Sequence, residues 1–160
     1  MSILLTHTYY LHEDYKEKKI MKPYAPLGLL YISAYLNQNA VENHLYDSTF
    51  YSLEAQLKYI AEKQPKAVAI YSNLMTKINV ITLVKTLKTN AKYGFPKLIL
   101  GGPDVTYNCE NYLKTGADFL IIGEGELLPE LQVKVLEKKL SDHVDIIKFQ
   151  QDFIKYIQHS

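Results

Sequence analysis

Continuous apolar runs and stretches with helix-spaced apolar positions alternate along the chain. Ile3 to Thr6 is a short apolar run of the kind that opens an α/β domain, and Leu45–Asp47, Ala67–Tyr71, Lys97–Leu100 and Asp118–Ile122 are four further candidate strands. Between them, residues 26–38 place Leu29, Leu30, Ile32, Tyr35 and Leu36 on one helical stripe, with Pro26 at a first-turn position where its missing N–H costs nothing. The same spacing recurs through Leu53, Leu57, Ile60 and Ala61, where Pro65 stops it, and through Val80, Ile81, Val84 and Leu87. Cys109–Lys114 reads as a short fourth helix and Leu127–Lys139 as a fifth. Strands and helices in strict alternation, with connections suited to right-handed crossovers, predict an α/β domain: a doubly wound five-stranded parallel sheet, flavodoxin-like, in strand order 2-1-3-4-5. Ile146, Phe149, Phe153 and Ile157 add an extra C-terminal helix, so the chain divides into a domain at 1–140 and a helical extension at 141–160.

In such a sheet ligands lie beyond the carboxyl ends of the strands. Three successive strand ends there carry small or hydroxylic residues: Ser72 with Leu74 and Thr76, Gly101-Gly102-Pro103, and Gly123-Glu124-Gly125-Glu126. Paired glycines permit positive φ and let another group lie against bare backbone. The Glu124 and Glu126 carboxylates can accept from ribose hydroxyls or amides, or favour a following helix N-terminus. Each motif alone also fits a tight turn or a helix cap; their convergence on one edge is what points to a ligand. Neither a P-loop, a dinucleotide fingerprint nor a nucleophile elbow occurs. The loop from His7 to Ala25 is long for a βα connection, a feature of functional or disordered loops.

Composition narrows the partners. With 160 residues the chain fits one domain, able to bury roughly 70% of its unfolded surface. All 18 basic residues are Lys, against 17 acidic ones, so neither a guanidinium fork nor a basic surface recommends nucleic acid. The single Cys109 cannot close a disulfide or build a zinc site or an iron–sulfur cluster by itself. No stretch approaches eighteen apolar residues and the first residues do not form a signal peptide, so no membrane association and a cytoplasmic location are expected.

The run Pro26-Leu27-Gly28-Leu29-Leu30-Tyr31-Ile32-Ser33-Ala34-Tyr35-Leu36, followed by Ser72-x-Leu74 with Thr76, then Gly101-Gly102-Pro103, then Gly123-Glu124-Gly125-Glu126, resembles the N-terminal cobalamin-binding domain of B12-dependent radical SAM proteins. The resemblance runs from about Ile3 to Leu136, with the four motifs in the same order and at similar spacing. It implies that cobalamin (vitamin B12) is the cofactor, its nucleotide tail inserted between the strand ends. Ser72 would then hydrogen-bond the dimethylbenzimidazole base, Leu74 would line the slot, Gly101 and Gly102 would let the tail pass, and Gly123–Glu126 would flank the ribose or the corrin amides. The wider family places Asp-x-His-x-x-Gly after the first strand, with the histidine on cobalt. Here His12 lies near that place, but Tyr10 and Tyr15 replace the Asp and Gly. The implied state is base-off cobalamin, with Tyr9, Tyr10 or His12 near its lower face.

The three-cysteine motif and barrel of the radical SAM half do not occur in these residues, so the expected role is a cofactor-holding module for methyl transfer or a related radical reaction, not a self-sufficient enzyme. Its partner would be a separate radical SAM enzyme or a missing C-terminal domain. The alternative is a cofactor-free interaction domain on the same fold, suggested by the 14 tyrosines.

Overall fold

The apolar runs become the central strands of one sheet. A computed structural model of the chain describes residues 2–11, 13, 19, 23 and 25–122, together with the backbone of 132–137 and 145–148. Its elements are β1 (Ile3–His7), α1 (Leu27–Gln38), β2 (Asn43–Tyr46), α2 (Leu53–Lys63), β3 (Ala67–Tyr71), α3 (Lys77–Thr89), a 3₁₀ turn (Ala91–Tyr93), β4 (Lys97–Gly101), α4 (Pro103–Tyr107), α5 (Cys109–Thr115), β5 (Phe119–Ile122), β6 (Gln132–Glu137) and β7 (Asp145–Lys148). Strands β1 to β5 pair in parallel in the order β2-β1-β3-β4-β5, as the sequence predicts for a flavodoxin-like sheet.

Alternation along each strand builds two cores. Leu4, Val68, Ile70, Leu98, Leu100 and Leu120 pack on one face against α2, α3 and α5 through Ile60, Leu83, Leu87 and Tyr112. Ile3, Leu5, Ala67, Ile99 and Phe119 pack on the other against Leu29 and Leu36 of α1. Burial on both faces is why the strands read as unbroken apolar runs. Helix α2 begins where Ser52 Oγ accepts the Ala55 N–H at 3.2 Å, and it ends on Gln64 in the left-handed region, just before Pro65.

The far edge of the sheet, beyond β5, departs from the expectation. The predicted helix over Leu127–Lys139 is replaced by β6, antiparallel to β5, and β7 returns antiparallel to β6, giving seven strands in the order β2-β1-β3-β4-β5-β6-β7. In Gln132-Val133-Lys134-Val135 β-branched residues alternate with long polar ones at the period of a strand, and pairing with the free edge of β5 selects that pattern over the helical spacing of the leucines. Ile146, expected on the C-terminal helix, lies on β7; residues 149–160 lie outside the described residues. Among the described residues no helix is long and apolar enough to cross a membrane.

Candidate functional site

The carboxyl ends of β1, β2, β3 and β4 share one edge, set by the parallel register Thr6↔Tyr46, His7↔Tyr71 and Tyr71↔Gly101. Ser72 continues β3 by donating its N–H to Gly101 O at 2.7 Å. Its side chain is fully buried, and its hydroxyl meets Tyr112 Oη of α5 at 2.7 Å. The Tyr112 hydroxyl in turn donates to Asp104 Oδ2 at 2.6 Å, and Asp104 also accepts from Asn108 Nδ2 at 3.1 Å and pairs with Lys77 Nζ at 3.4 Å. Burial, reinforced by the hydrogen bond to Asp104, pushes the Tyr112 phenol up to about 12, so it keeps its proton. The sequence singled out Ser72 but none of Tyr112, Asp104 or Lys77. Tyr112 is 40 positions away, and only the packing of α5 against the strand ends brings it in.

The other predicted residues divide. Thr76 is buried and closes the turn after β3: its N–H donates to Asn73 Oδ1 at 3.0 Å and its hydroxyl accepts from Asn73 N at 3.1 Å. Leu74 in the same turn is 81% exposed, and Met75, Ile78, Tyr71 and Tyr107 leave further apolar surface open. Gly102 has φ +110° and ψ 173°, a region open essentially to glycine alone. A Cβ there would stand 2.3 Å from Ser72 O, so the bare α-carbon is occupied by the neighbouring strand end. At Gly101 a Cβ would only reach ordinary contact with Ile121, at 3.6 Å. Pro103 opens α4. Gly123, Glu124, Gly125 and Glu126, and His12, lie outside the described residues.

The start of the long loop after β1 is fastened to this edge. His7 Nδ1 accepts the Tyr9 N–H at 3.2 Å, so the ring hydrogen sits on Nε2, which faces Asp47 Oδ1 at 3.0 Å; Ser48 Oγ lies 3.0 Å from Nδ1. Burial pushes His7 below its ordinary value, offset in part by Asp47. For Asp47 burial acts upward, but hydrogen bonds from Thr49 and the His7 ring outweigh it and hold the carboxyl low. Both ring nitrogens are thus engaged and the residue is buried, which leaves His7 no lone pair for a metal. Beside it, buried Gln56 of α2 donates to Thr6 Oγ1 at 2.6 Å and to His7 O at 3.0 Å, and accepts from Tyr10. Thr8 O accepts from Asn79 Nδ2 at 3.2 Å. Among the described residues no cluster of three or more His, Cys, Asp or Glu is arranged to hold a metal ion.

What this edge leaves open is an apolar rim, its hydroxyls being buried and paired, and such a surface fits a ligand with large apolar faces better than a polyphosphate. Comparison with known proteins agrees. The profile of the B12 binding domain matches residues 19–132. The structure of the cobalamin-dependent S-adenosylmethionine radical enzyme OxsB with aqua-cobalamin bound superposes with a TM-score of 0.62 at 14% identity, over 76% of this chain and 16% of that one. The chain therefore spans about a sixth of that enzyme. No curated protein matches the sequence. With the profile covering well over half of its length and the flavodoxin-like sheet in place, the chain belongs to the B12-binding domain family.

Proposed function

We propose that this chain is a cobalamin-binding module of the B12-dependent radical SAM type, which holds the cofactor base-off for methyl transfer or a related radical reaction carried out elsewhere. The observation that carries the reading is the apolar rim of Leu74, Met75 and Ile78 beside Ser72, on the carboxyl edge of a sheet within the family match. Bound cobalamin would supply a cobalt centre able to carry an alkyl group. In this reading Ser72 meets the nucleotide base, while Leu74 and Met75 cover apolar corrin surface. Gly102 keeps the ends of β3 and β4 close, Gly101 leaves room for the tail to pass, and Gly123–Glu126 flank the ribose or the corrin amides. His7, engaged at both nitrogens, fixes the root of the loop and does not ligate cobalt; Tyr10, expected near the lower face, is buried with its hydroxyl on Gln56, which leaves Tyr9 and His12 of the expected residues for that face.

The test is retention. Purified protein mixed with hydroxocobalamin is expected to carry the cofactor through gel filtration with a base-off absorption spectrum; complete loss on the column together with no heat in calorimetry would overturn the reading. A second reading, a cofactor-free interaction domain, is favoured by one observation: the Ser72 hydroxyl is already satisfied by Tyr112. A stable cofactor-free dimer or heterocomplex, abolished by Leu74→Asp and indifferent to cobalamin, would support it.

A further inference from the structure

Ten of the eleven exposed large apolar side chains among the described residues stand at one end of the molecule, beyond the carboxyl ends of the strands or in the first two turns of the helix that follows. Four neighbouring strand ends contribute, spaced about 4.8 Å apart in the order β2-β1-β3-β4. Phe50 follows β2, Leu27 and Tyr31 open α1 after β1, Leu74 and Ile78 follow β3, and Tyr107 follows β4. The exception, Phe95, precedes β4 at the opposite end. A side chain of this size carries about 150–250 Å², so ten of them, exposed by 37–85%, offer on the order of 1,000 Å². The largest apolar patch on a typical monomer is about 300–600 Å², and a stable protein–protein interface takes about 800 Å² from each partner. This end therefore has the area of an interface.

The polar groups among these side chains are already satisfied. Asp47 faces His7, Asp104 pairs with Lys77 and accepts from Tyr112, and Ser72 is paired with Tyr112. Two such ends can meet without stranding a buried donor or an uncompensated charge, and a net charge of +1 sets no barrier between copies. An apolar surface with its charges internally neutralised is its own complement, which is what a two-fold interface requires.

We propose that in the absence of cofactor two copies of this chain pair through the carboxyl ends of their sheets, and that a corrinoid, which needs the same rim of Leu74, Met75 and Ile78, drives the pair apart. The pairing stands on the exposed surface alone; its competition with the cofactor rests on the cobalamin reading above. Because both occupants take one rim, each weakens the other by the same factor.

The experiment is sedimentation velocity of the cofactor-free chain from about 1 to about 100 µM, repeated with excess hydroxocobalamin. The expected result is a concentration-dependent dimer that hydroxocobalamin converts to cofactor-loaded monomer. Leu74→Asp and Ile78→Asp should each weaken the dimer about a hundredfold, because each sets a carboxylate in the apolar contact, whereas Phe95→Asp at the opposite end should leave it unchanged. All three positions are exposed, so circular dichroism should show each variant folded. A monomer at every concentration, its apolar end covered by the chain's own loop after β1 or kept for a different protein, overturns the pairing. So does a dimer indifferent to both Leu74→Asp and Ile78→Asp. A dimer that carries bound cobalamin overturns the competition and leaves the cobalamin reading standing; a dimer that binds no cobalamin overturns that reading and leaves the pairing standing.

Discussion

Replacing Gly102 by alanine separates a glycine required by the protein from one required by a ligand. The residue sits at φ +110°, ψ 173°, and an added Cβ would lie 2.3 Å from Ser72 O and 3.1 Å from both Ser72 N and Tyr71 Cδ2. The first two neighbours are backbone atoms held by β3, so relief requires the ends of β3 and β4 to part. Backbone strain in this region costs about 1–3 kcal/mol, and overpacking adds about 1–3 kcal/mol. The expected destabilisation is therefore about 2–6 kcal/mol, or a fall in Tm of about 5–20 °C for a chain of this size. Gly101→Ala is the internal control: its Cβ reaches only ordinary contact at 3.6 Å, and its effect should stay within about 1 kcal/mol. Thermal and urea unfolding of the cofactor-free protein, followed by circular dichroism, measures both. If Gly102→Ala is as stable as the parent while cobalamin retention is lost, the strand-packing argument is wrong and the glycine serves the ligand.

Three further expectations follow from the same contacts. His7 is held below 6.5, so the folded chain binds its proton less readily than the unfolded chain; the stability contributed by neutral His7 is complete above pH 6.5 and drains as the pH falls through that value towards the lower folded one. NMR titration should place His7 below 6.5 and lower still in Asp47→Asn; a midpoint above 6.5 in the parent would refute the assignment. Gln56→Leu removes the acceptor of the Tyr10 hydroxyl and a donor to Thr6, and should cost about 1–3 kcal/mol. Faster amide exchange at Leu11, whose N–H donates to Thr49 O at 3.0 Å, would report the loosened loop root, and unchanged exchange would refute it. Leu83→Ala, in the core under α3, should lower stability by about 2–5 kcal/mol in urea titration without altering cobalamin retention; a joint loss would tie that core to the site.

The inner strands β1, β3 and β4 were legible because they are buried on both faces, and a strand of that kind carries its own signal as a short apolar run. The antiparallel pair was not, because the leucines at 127, 128, 131 and 136 support a helical stripe over the same residues in which Val133 and Val135 alternate with Lys134. Such a window is decided by the partner it finds, here the free edge of β5, which the local sequence does not contain. At the site, position at a strand end was enough to single out Ser72 and the glycine pair. Their partners were not legible: Asp104 follows Gly-Gly-Pro without any distinguishing neighbour, and Tyr112 is one tyrosine among 14.

One edge of the sheet thus presents two kinds of surface, and the difference bears on how a ligand would be received. The polar groups are buried and already paired, Ser72 and Asp104 with Tyr112 and Thr76 with Asn73, whereas the apolar groups around them, Leu74, Met75 and Ile78, are exposed. For a ligand recognised chiefly by hydrogen bonds this arrangement is inverted, because each polar contact would first have to break one of equal strength. For a ligand with large apolar faces it is favourable, since the exposed side chains gain about 25 cal/mol for each Å² they bury and the internal hydrogen bonds can stay as they are. Affinity would then come from the rim. Leu74→Ser should accordingly weaken methylcobalamin and dicyanocobinamide alike, by about ten- to a hundredfold for a side chain whose burial is worth about 1.5–3 kcal/mol. Unchanged affinity of Leu74→Ser for both corrinoids would refute this reading of the rim.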